Sequence, residues 1–217
     1  MSHTQIEKLA NIKSKILRIA REYNHQAPII NIVTKKRDIS EILPLIESGE
    51  RCFAENAVQE LDAKWSKIKE IYPGIKLSLI GHLQSNKVKK AIEIVNVIET
   101  IDSEKIANLI KQEILIQNKE IELMIQVNIG EESQKYGIMP NEANSFISYC
   151  QNDLSLNIKG LMAIPPQDEN PSPFFSLLQL IARRNGLNYL SMGMSSDYAQ
   201  AIMLGTNEVR IGTKIFT

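Results

Sequence analysis

The sequence lacks several features that would point to particular classes of protein. Its 25 basic and 25 acidic residues cancel, so the composition gives no argument for nucleic acid, an acidic partner or a membrane surface as ligand. No apolar run approaches the ~20 residues that span a bilayer. The first residues lack the basic-then-apolar pattern of a secretion signal. Only two cysteines are present, Cys52 and Cys150, which favours a reduced, cytoplasmic protein without a disulfide framework.

Motifs for metal, nucleotide and serine-hydrolase chemistry are also missing. The histidines do not combine with cysteine or acidic residues at metal-ligand spacing, so no metal site is predicted. No G-x-G-x-x-G turn follows the first predicted strand, which weakens a dinucleotide-binding fold. The segment 193–197 lacks the second glycine of a nucleophile elbow. His82, after the third predicted strand, is interpreted as a hydrogen-bonded structural residue.

What the sequence does contain is a regular alternation of strand-like and helix-like segments. Eight apolar segments each end in a polar or glycine-rich cluster, which is typical of parallel strands joined by helices. Eight strands favour a closed (β/α)8 barrel, and the whole chain, 1–217, is expected to form a single domain. The predicted strands are 29–33, 51–54, 76–80, 96–100, 121–128, 156–164, 188–192 and 208–211.

The first helix has a distinct predicted role. Its apolar residues recur at three- and four-residue steps, which places them on one helical face: Ile6, Leu9, Ile12, Ile16, Ile19 and Tyr23. With the last predicted strand ending at residue 211 and the sequence at 217, no eighth helix is expected after that strand. We therefore expect the N-terminal helix to occupy that position in the outer ring, beside the last strand. Other helices are predicted to start at Asp38 (with Glu41), Asn56, Ser85, Ser103 and either Ser195 or Ser196.

Three cations follow the first predicted strand. Lys35, Lys36 and Arg37 could be an ordinary solvated charge run. Side chains alternate along and just beyond a strand, however, so one of the two lysines would face the mouth of the barrel. A lysine placed there can form an imine with an aldehyde. The residue pattern leaves the choice between the two lysines open.

Two polar motifs at the end of the chain favour a phosphate site. Ser195 and Ser196 follow the seventh strand, and Gly212 and Thr213 follow the eighth, which is where such barrels typically bind phosphate. Each motif alone could be an ordinary cap or turn. Because they lie on neighbouring strands, the two motifs together predict an anion site. Its donors would be serine and threonine hydroxyls and the amides at a helix start, and Gly212 would let the backbone approach the anion closely. Closure of the barrel places the eighth strand beside the first, so the lysine and the phosphate pocket should share one rim.

The sequence resembles the pyridoxal phosphate homeostasis protein family along nearly its whole length, 33–216. The resemblance implies one barrel similar to the N-terminal domain of alanine racemase, with pyridoxal 5'-phosphate as the cofactor. Several long motifs occur in the same order as in the family, which unrelated sequences rarely do. The most specific segments are 80–87, 190–195 and 209–213, with support from 54–60, 126–129 and 160–162.

The resemblance also implies site residues and a role. The family lysine that forms an internal aldimine falls on Lys35, and Arg210 would approach the pyridine nitrogen. Asn56 would lie beside the ring, and the phosphate would be held by Ser195, Gly212 and Thr213. The implied role is non-catalytic: intracellular vitamin B6 homeostasis by a monomeric cytoplasmic protein. Apo pyridoxal-phosphate enzymes are candidate recipients, and no nucleic-acid or membrane partner is expected.

Two alternatives remain at this level. One is a pyridoxal-phosphate-dependent enzyme similar to an amino acid racemase, and the other is a barrel isomerase that binds a phosphorylated metabolite. A guanidinium at the pyridine nitrogen only donates hydrogen bonds, so the ring would be a poorer electron sink. The sequence also predicts no second domain to cover the rim and exclude water. Both points favour the carrier.

Overall fold

The computed structural model describes residues 2–217, with side chains from residue 4 onward, and confirms the closed (β/α)8 barrel. Eight parallel strands pair in chain order, and β1 closes the barrel by pairing with both β2 and β8. The strands are β1 (Ile29–Val33), β2 (Cys52–Glu55), β3 (Lys76–Leu79), β4 (Val97–Ile101), β5 (Glu122–Val127), β6 (Ile158–Ala163), β7 (Tyr189–Met194) and β8 (Glu208–Ile211).

Helices form the outer ring. A 3₁₀ turn at Ser85–Lys87 precedes the fourth helix, and a π-helical turn at Tyr149–Asp153 extends the sixth. Within residues 2–217, no helix combines the length and the apolar surface that a membrane crossing requires. The helices are α1 (Ser2–Glu22), α2 (Ile39–Glu47), α3 (Val58–Ile71), α4 (Val88–Ile94), α5 (Glu104–Gln117), α6 (Ala143–Ser148), α7 (Ser172–Arg184), α8 (Tyr198–Met203) and α9 (Thr213–Phe216).

The N-terminal helix lies where the sequence predicts it. α1 packs against α2, α8 and α9, and its face of Leu9, Ile12, Ile16 and Ile19 is buried. Two details of the prediction are wrong. A short helix, α9, does follow β8, and α1 covers it rather than replacing it. Tyr23 lies beyond the end of α1 and is exposed, because the chain turns there toward β1.

Helix starts follow the predicted caps in some places and not in others. Ser103 precedes α5 and its hydroxyl accepts from the Ile106 N–H, as predicted. α3 begins at Val58 rather than at Asn56. α8 begins at Tyr198, because β7 extends to Met194 and a turn follows it. Ser195 and Ser196 therefore lie in a strand-to-helix turn and do not cap a helix.

Two different cores hold the barrel together. Apolar side chains fill the space between strands and helices, for example Phe53 and Trp65, whose ring centroids are 4.9 Å apart. Each such fully buried side chain contributes roughly 1.5–3 kcal/mol. The second core lies inside the barrel and is polar on several strands. Its buried members are Asn31, Ser78, Glu99, Ser191, Glu208 and Arg210.

Candidate functional site

A cavity of about 550 Å³ opens at the carboxyl ends of the strands, at the rim where barrels of this kind place ligands. Its volume lies in the range of small-molecule sites. Residues from β1 and β8 line it, together with residues that follow β2, β6 and β7. All six residues singled out in the sequence line this one cavity: Lys35, Asn56, Ser195, Arg210, Gly212 and Thr213.

The residue before Lys35 is fixed from three sides. Thr34 donates its backbone N–H to Ala54 O at 3.0 Å and its hydroxyl to Glu55 Oε1 at 2.7 Å. The Lys64 ammonium donates to Thr34 O at 2.9 Å and to Glu55 Oε1 at 3.1 Å. Burial raises the pKa of the Glu55 carboxyl, and its bonds to Thr34, Trp65 and Lys64 oppose that shift. The end of β1 is therefore held rigidly at the cavity.

Lys35 and Lys36 diverge immediately after this point. Lys36 adopts a left-handed conformation with φ of 58°, and its N–H donates to Glu60 Oε2 at 2.8 Å. Such a backbone is unfavourable for a side-chain-bearing residue unless its surroundings impose it. Of the two lysines, only Lys35 lines the cavity. Among the described residues, no acceptor or acidic partner is bonded to the Lys35 amine.

The opposite wall comes from the ends of β7 and β8. Ser195 Oγ accepts from the Lys214 N–H at 3.5 Å, which joins the two segments. A Cβ on Gly212 would lie 3.0 Å from Val33 O and 3.2 Å from Val33 Cβ. Gly212 thus lets the end of β8 approach β1, whereas the sequence argument assigned that closeness to a ligand. α8 starts only at Tyr198, so Ser195 and Ser196 lie in the turn before that helix, whereas Gly212 and Thr213 begin the short helix α9 at the cavity.

The cavity is positively charged. Lys35, Arg37, Arg210 and Lys214 line it, and none of the described lining residues is acidic. Arg37 is partly neutralised by Glu41, 3.4 Å away. Apolar side chains form the remaining walls: Val33, Ile80, Ile164 and Met194. The lining therefore suits an anionic ligand with a flat apolar portion.

Arg210 points into the barrel. Its Nη1 donates to Ser191 O at 2.8 Å and to Ser191 Oγ at 2.6 Å, and its Nη2 donates to Ala163 O at 2.8 Å. Glu99 Oε2 lies 3.8 Å from Nη1. An inward arginine needs acceptors, and these contacts supply them. Arg210 also lines the cavity.

Sequence reasoning missed the buried carboxylates Glu55, Glu99 and Glu208. Each of them is an acidic residue at or next to an apolar predicted strand. Burying an ionised carboxylate is unfavourable unless it is paired, so this pattern could have indicated a charge pair inside the barrel. His82 behaves as expected of a structural histidine: its Nδ1 lies 2.7 Å from Asp102 Oδ2, and its ring stacks on Tyr136 at 3.7 Å. Within residues 2–217, no group of histidine, cysteine and acidic side chains is arranged to hold a metal ion.

Known proteins resemble this chain along most of its length. The model of the family "Alanine racemase, N-terminal domain" matches residues 8–217. A pyridoxal phosphate homeostasis protein of Haemophilus influenzae is 33% identical, over 94% of this chain and 92% of the relative. The structure of PipY from Synechococcus elongatus, with PLP bound, superposes with a TM-score of 0.84 at 26% identity, covering 98% of this chain and 100% of PipY.

A more distant likeness concerns the fold alone. Alanine racemase from Clostridium difficile superposes with a TM-score of 0.71 at 14% identity. The match covers 92% of this chain and 54% of the racemase, so the barrel corresponds to a little over half of that enzyme. By sequence and by fold, the chain belongs to the alanine racemase N-terminal domain family and, within it, to the pyridoxal phosphate homeostasis proteins.

Proposed function

We propose that this protein binds pyridoxal 5'-phosphate covalently on Lys35 and serves intracellular vitamin B6 homeostasis without catalytic turnover. The observation that supports this best is the meeting of an unpartnered lysine amine with a cationic pocket at the β1–β8 junction. Pyridoxal phosphate supplies an aldehyde that condenses with amines, a pyridine nitrogen and a phosphate dianion. The cavity offers a matching group for each of them.

The residues divide by the part of the ligand they would hold. Lys35 would supply the amine, and Asn56, which lines the cavity, would flank the ring. Ser195 and Thr213 contribute hydroxyls, and the backbone at Gly212 and Thr213 contributes amides, which are suitable donors for a phosphate. The apolar lining side chains, Val33, Ile80, Ile164 and Met194, would contact the ring.

Arg210 supports a non-catalytic role. Its guanidinium stays protonated and can only donate, so it would keep a facing pyridine nitrogen unprotonated. An unprotonated ring withdraws electrons weakly. The Haemophilus influenzae relative is likewise named as a homeostasis protein. We further propose that the protein acts as a cytoplasmic monomer and passes the ligand to apo enzymes that need it.

Borohydride reduction tests this proposal. The protein is incubated with pyridoxal phosphate, reduced and digested, and the modified peptide is identified by mass spectrometry. We expect one adduct, on Lys35, and none in Lys35→Ala. Lys36→Ala is the matched control, since that neighbouring amine does not line the cavity, and it should label like the parent protein. An adduct that persists in Lys35→Ala and disappears in Lys36→Ala would refute the assignment.

A second assay separates the carrier from an enzyme. The loaded protein is incubated with single enantiomers of amino acids, and loss of optical purity is followed. The carrier proposal expects no conversion above that of free pyridoxal phosphate. Conversion that depends on Lys35 would establish a racemase-like activity instead.

A further inference from the structure

Beneath the cavity, the barrel interior holds two carboxyl groups and one cation. Glu99 on β4 is 0% exposed and Glu208 on β8 is 5% exposed. Arg210 is the cation, with Nη1 3.8 Å from Glu99 Oε2. If both carboxyls were ionised, one buried negative charge would remain unbalanced, which is strongly unfavourable.

The surrounding titratable groups do not supply the missing positive charge. Tyr189 donates its hydroxyl to Glu208 Oε2 at 2.9 Å and is neutral. Cys52 on β2 is near enough for Glu208 to raise its thiol pKa, although burial is the larger cause. Lys159 lies over the Tyr189 ring at 4.0 Å and pairs with Glu122, the first residue of β5, at the amino ends of the strands. β1 and β3 contribute only the neutral Asn31 and Ser78.

Hydrogen-bond geometry points to the same deficit. Asn31 Nδ2 has two hydrogens but faces three acceptors: Ser78 Oγ at 3.0 Å, Glu99 Oε1 at 3.2 Å and Glu208 Oε1 at 2.9 Å. Ser191 Oγ carries a single hydrogen but lies 2.6 Å from Glu99 Oε2 and 3.5 Å from Glu208 Oε1. Asn31 Oδ1 is buried without any donor. Asn31 Nδ2 and the Ser191 hydroxyl thus each have one hydrogen fewer than the acceptors they face, and a protonated carboxyl would reduce that excess of acceptors.

We propose that Glu99 and Glu208 share one proton and act as a positioning pair for Arg210. Ser191 links them, since its Oγ accepts from Arg210 Nη1 and donates to Glu99. Neither carboxyl lines the cavity, so the pair acts through Arg210. The inference rests on the proposed function only for the identity of the ligand that Arg210 meets.

Proton counting on the protein without added ligand tests the shared proton. In the unfolded chain both glutamates are ionised above about pH 5, since their unperturbed pKa is about 4.3. The native pair holds one proton, so unfolding releases it, and stability falls as pH rises until the native pair loses that proton. Urea titrations between pH 6 and 8 give the free energy of unfolding at each pH. The slope of that free energy against pH gives the number of protons released on unfolding. Glu99→Gln, Glu208→Gln and the double variant should each release one proton fewer than the parent.

The three possible results are distinct. Equal effects of both single variants and the double variant support a shared proton. Additive effects, two protons in the double variant, would mean that both carboxyls are neutral and would overturn the proposal. No effect would mean that both are ionised and would also overturn it. Glu122→Gln is the control, since its half-exposed carboxylate pairs with Lys76 and Lys159 and should leave the slope unchanged.

Infrared spectroscopy of the folded protein needs no unfolding. A protonated carboxyl stretch should be present at pH 7, and either glutamine variant should remove it. Glu122→Gln should not, because the Glu122 carboxylate pairs with two ammonium groups, Lys76 and Lys159. A band that survives both variants would contradict the pair.

Pyridoxal phosphate affinity tests the positioning role. Glu99→Gln keeps an acceptor for the Ser191 hydroxyl, so its affinity for pyridoxal phosphate should stay within about twofold of the parent's. Glu99→Leu has no such acceptor, and its affinity should fall roughly tenfold, which is equivalent to the loss of one hydrogen bond. Equal affinities in both variants would rule out positioning. If the parent protein itself failed to bind pyridoxal phosphate, the proposed function would fail while the proton count would still stand.

Discussion

Two buried carboxylate clusters support opposite walls of the cavity, and they differ in charge balance. Under Lys35, the Lys64 ammonium meets the fully buried Glu55 carboxylate at 3.1 Å and the partly exposed Glu60 carboxylate at 2.5 Å. Under Arg210, two buried carboxyls depend on one guanidinium, which lies 3.8 Å from Glu99 and is linked to Glu208 through Ser191. The first cluster has one ammonium for its one fully buried carboxylate, and its second carboxylate reaches solvent, so it acts as a fixed clamp on the strand end. The excess of carboxyls at the second makes it a place that must hold a proton.

The difference follows from where the clusters lie. Glu55 is the last residue of β2, and the Lys64 side chain reaches it from α3 while remaining 14% exposed. Glu99 is in the middle of β4, inside the barrel, where no helix residue can reach. A cation that neutralises Glu99 must therefore come from another strand. Among the described residues, Arg210 on β8 is that cation. Fold position therefore determines how each carboxyl is neutralised.

The largest expected effect is on the clamp. Glu55→Leu removes the acceptor of the Thr34 hydroxyl, the Trp65 N–H and one Lys64 N–H, and we expect a loss of about 3–5 kcal/mol in the free energy of unfolding, measured by urea titration. Glu60→Gln is the matched control, since Glu60 contacts the same lysine at 2.5 Å but is half-exposed. Its expected loss is about 0.5–1 kcal/mol. Equal losses in the two variants would show that burial does not distinguish the two contacts.

A somewhat smaller effect is expected at the other cluster. Arg210→Gln leaves the two carboxyls without a cation, and we expect a loss of about 3 kcal/mol at pH 8. The pair should then take up a second proton as pH falls, so the loss should shrink toward pH 6. The sign follows from the pKa of the Glu99 carboxyl, which burial raises and the guanidinium lowers. Removing the guanidinium raises that pKa further, and a raised carboxyl pKa favours the folded state at lower pH. A loss independent of pH would contradict the charge argument.

Two buried threonine hydroxyls allow a hydrogen bond to a charged acceptor to be compared with one to a neutral acceptor. Thr34→Val deletes a hydroxyl donated to the Glu55 carboxylate at 2.7 Å, with an expected loss of about 1.5–3 kcal/mol. Thr100→Val deletes one donated to the neutral carbonyl of Gly81 at 2.8 Å, with an expected loss of about 0.5–1.5 kcal/mol. Thermal or urea unfolding at pH 7 measures both. The reverse order would show that Glu55 is not ionised.

The smallest expected effect concerns Lys36. Lys36→Ala should change the unfolding free energy by less than about 0.5 kcal/mol, because its side chain is exposed and only its backbone bonds to Glu60. Lys36→Gly should be neutral or stabilising, since its φ of 58° suits glycine. A large loss in Lys36→Ala, detected by urea titration, would mean that the ammonium has a structural role.

The sequence predicted the barrel and the bounds of β1 and β8 because strand periodicity and flanking breakers are local signals. Pro28 and Gly212 mark the ends of those two strands. The grouping of Lys35 with Ser195 and Thr213 was predictable from closure alone. The start of α8 was not, because Asp197 rather than a serine accepts the turn amide of Met194, at 2.5 Å.

The polar interior was beyond prediction for a different reason. Asn31 and Glu208 are 177 positions apart in sequence, and their contact depends on the register of β1 against β8. The role of Glu99 likewise depends on which side of β4 faces the lumen. No local pattern records either fact, so charge pairing inside the barrel emerges only from the assembled strands.

A crystal structure of the protein soaked with pyridoxal phosphate would show whether Lys35 and the anion pocket hold one ligand. We expect the aldehyde carbon to be bonded to Lys35 Nζ and the phosphate to lie within hydrogen-bond distance of Ser195 and Thr213, with the ring nitrogen facing Arg210. A ligand bound elsewhere, or a phosphate held away from the β7 and β8 ends while another lysine carries the aldehyde, would contradict this expectation.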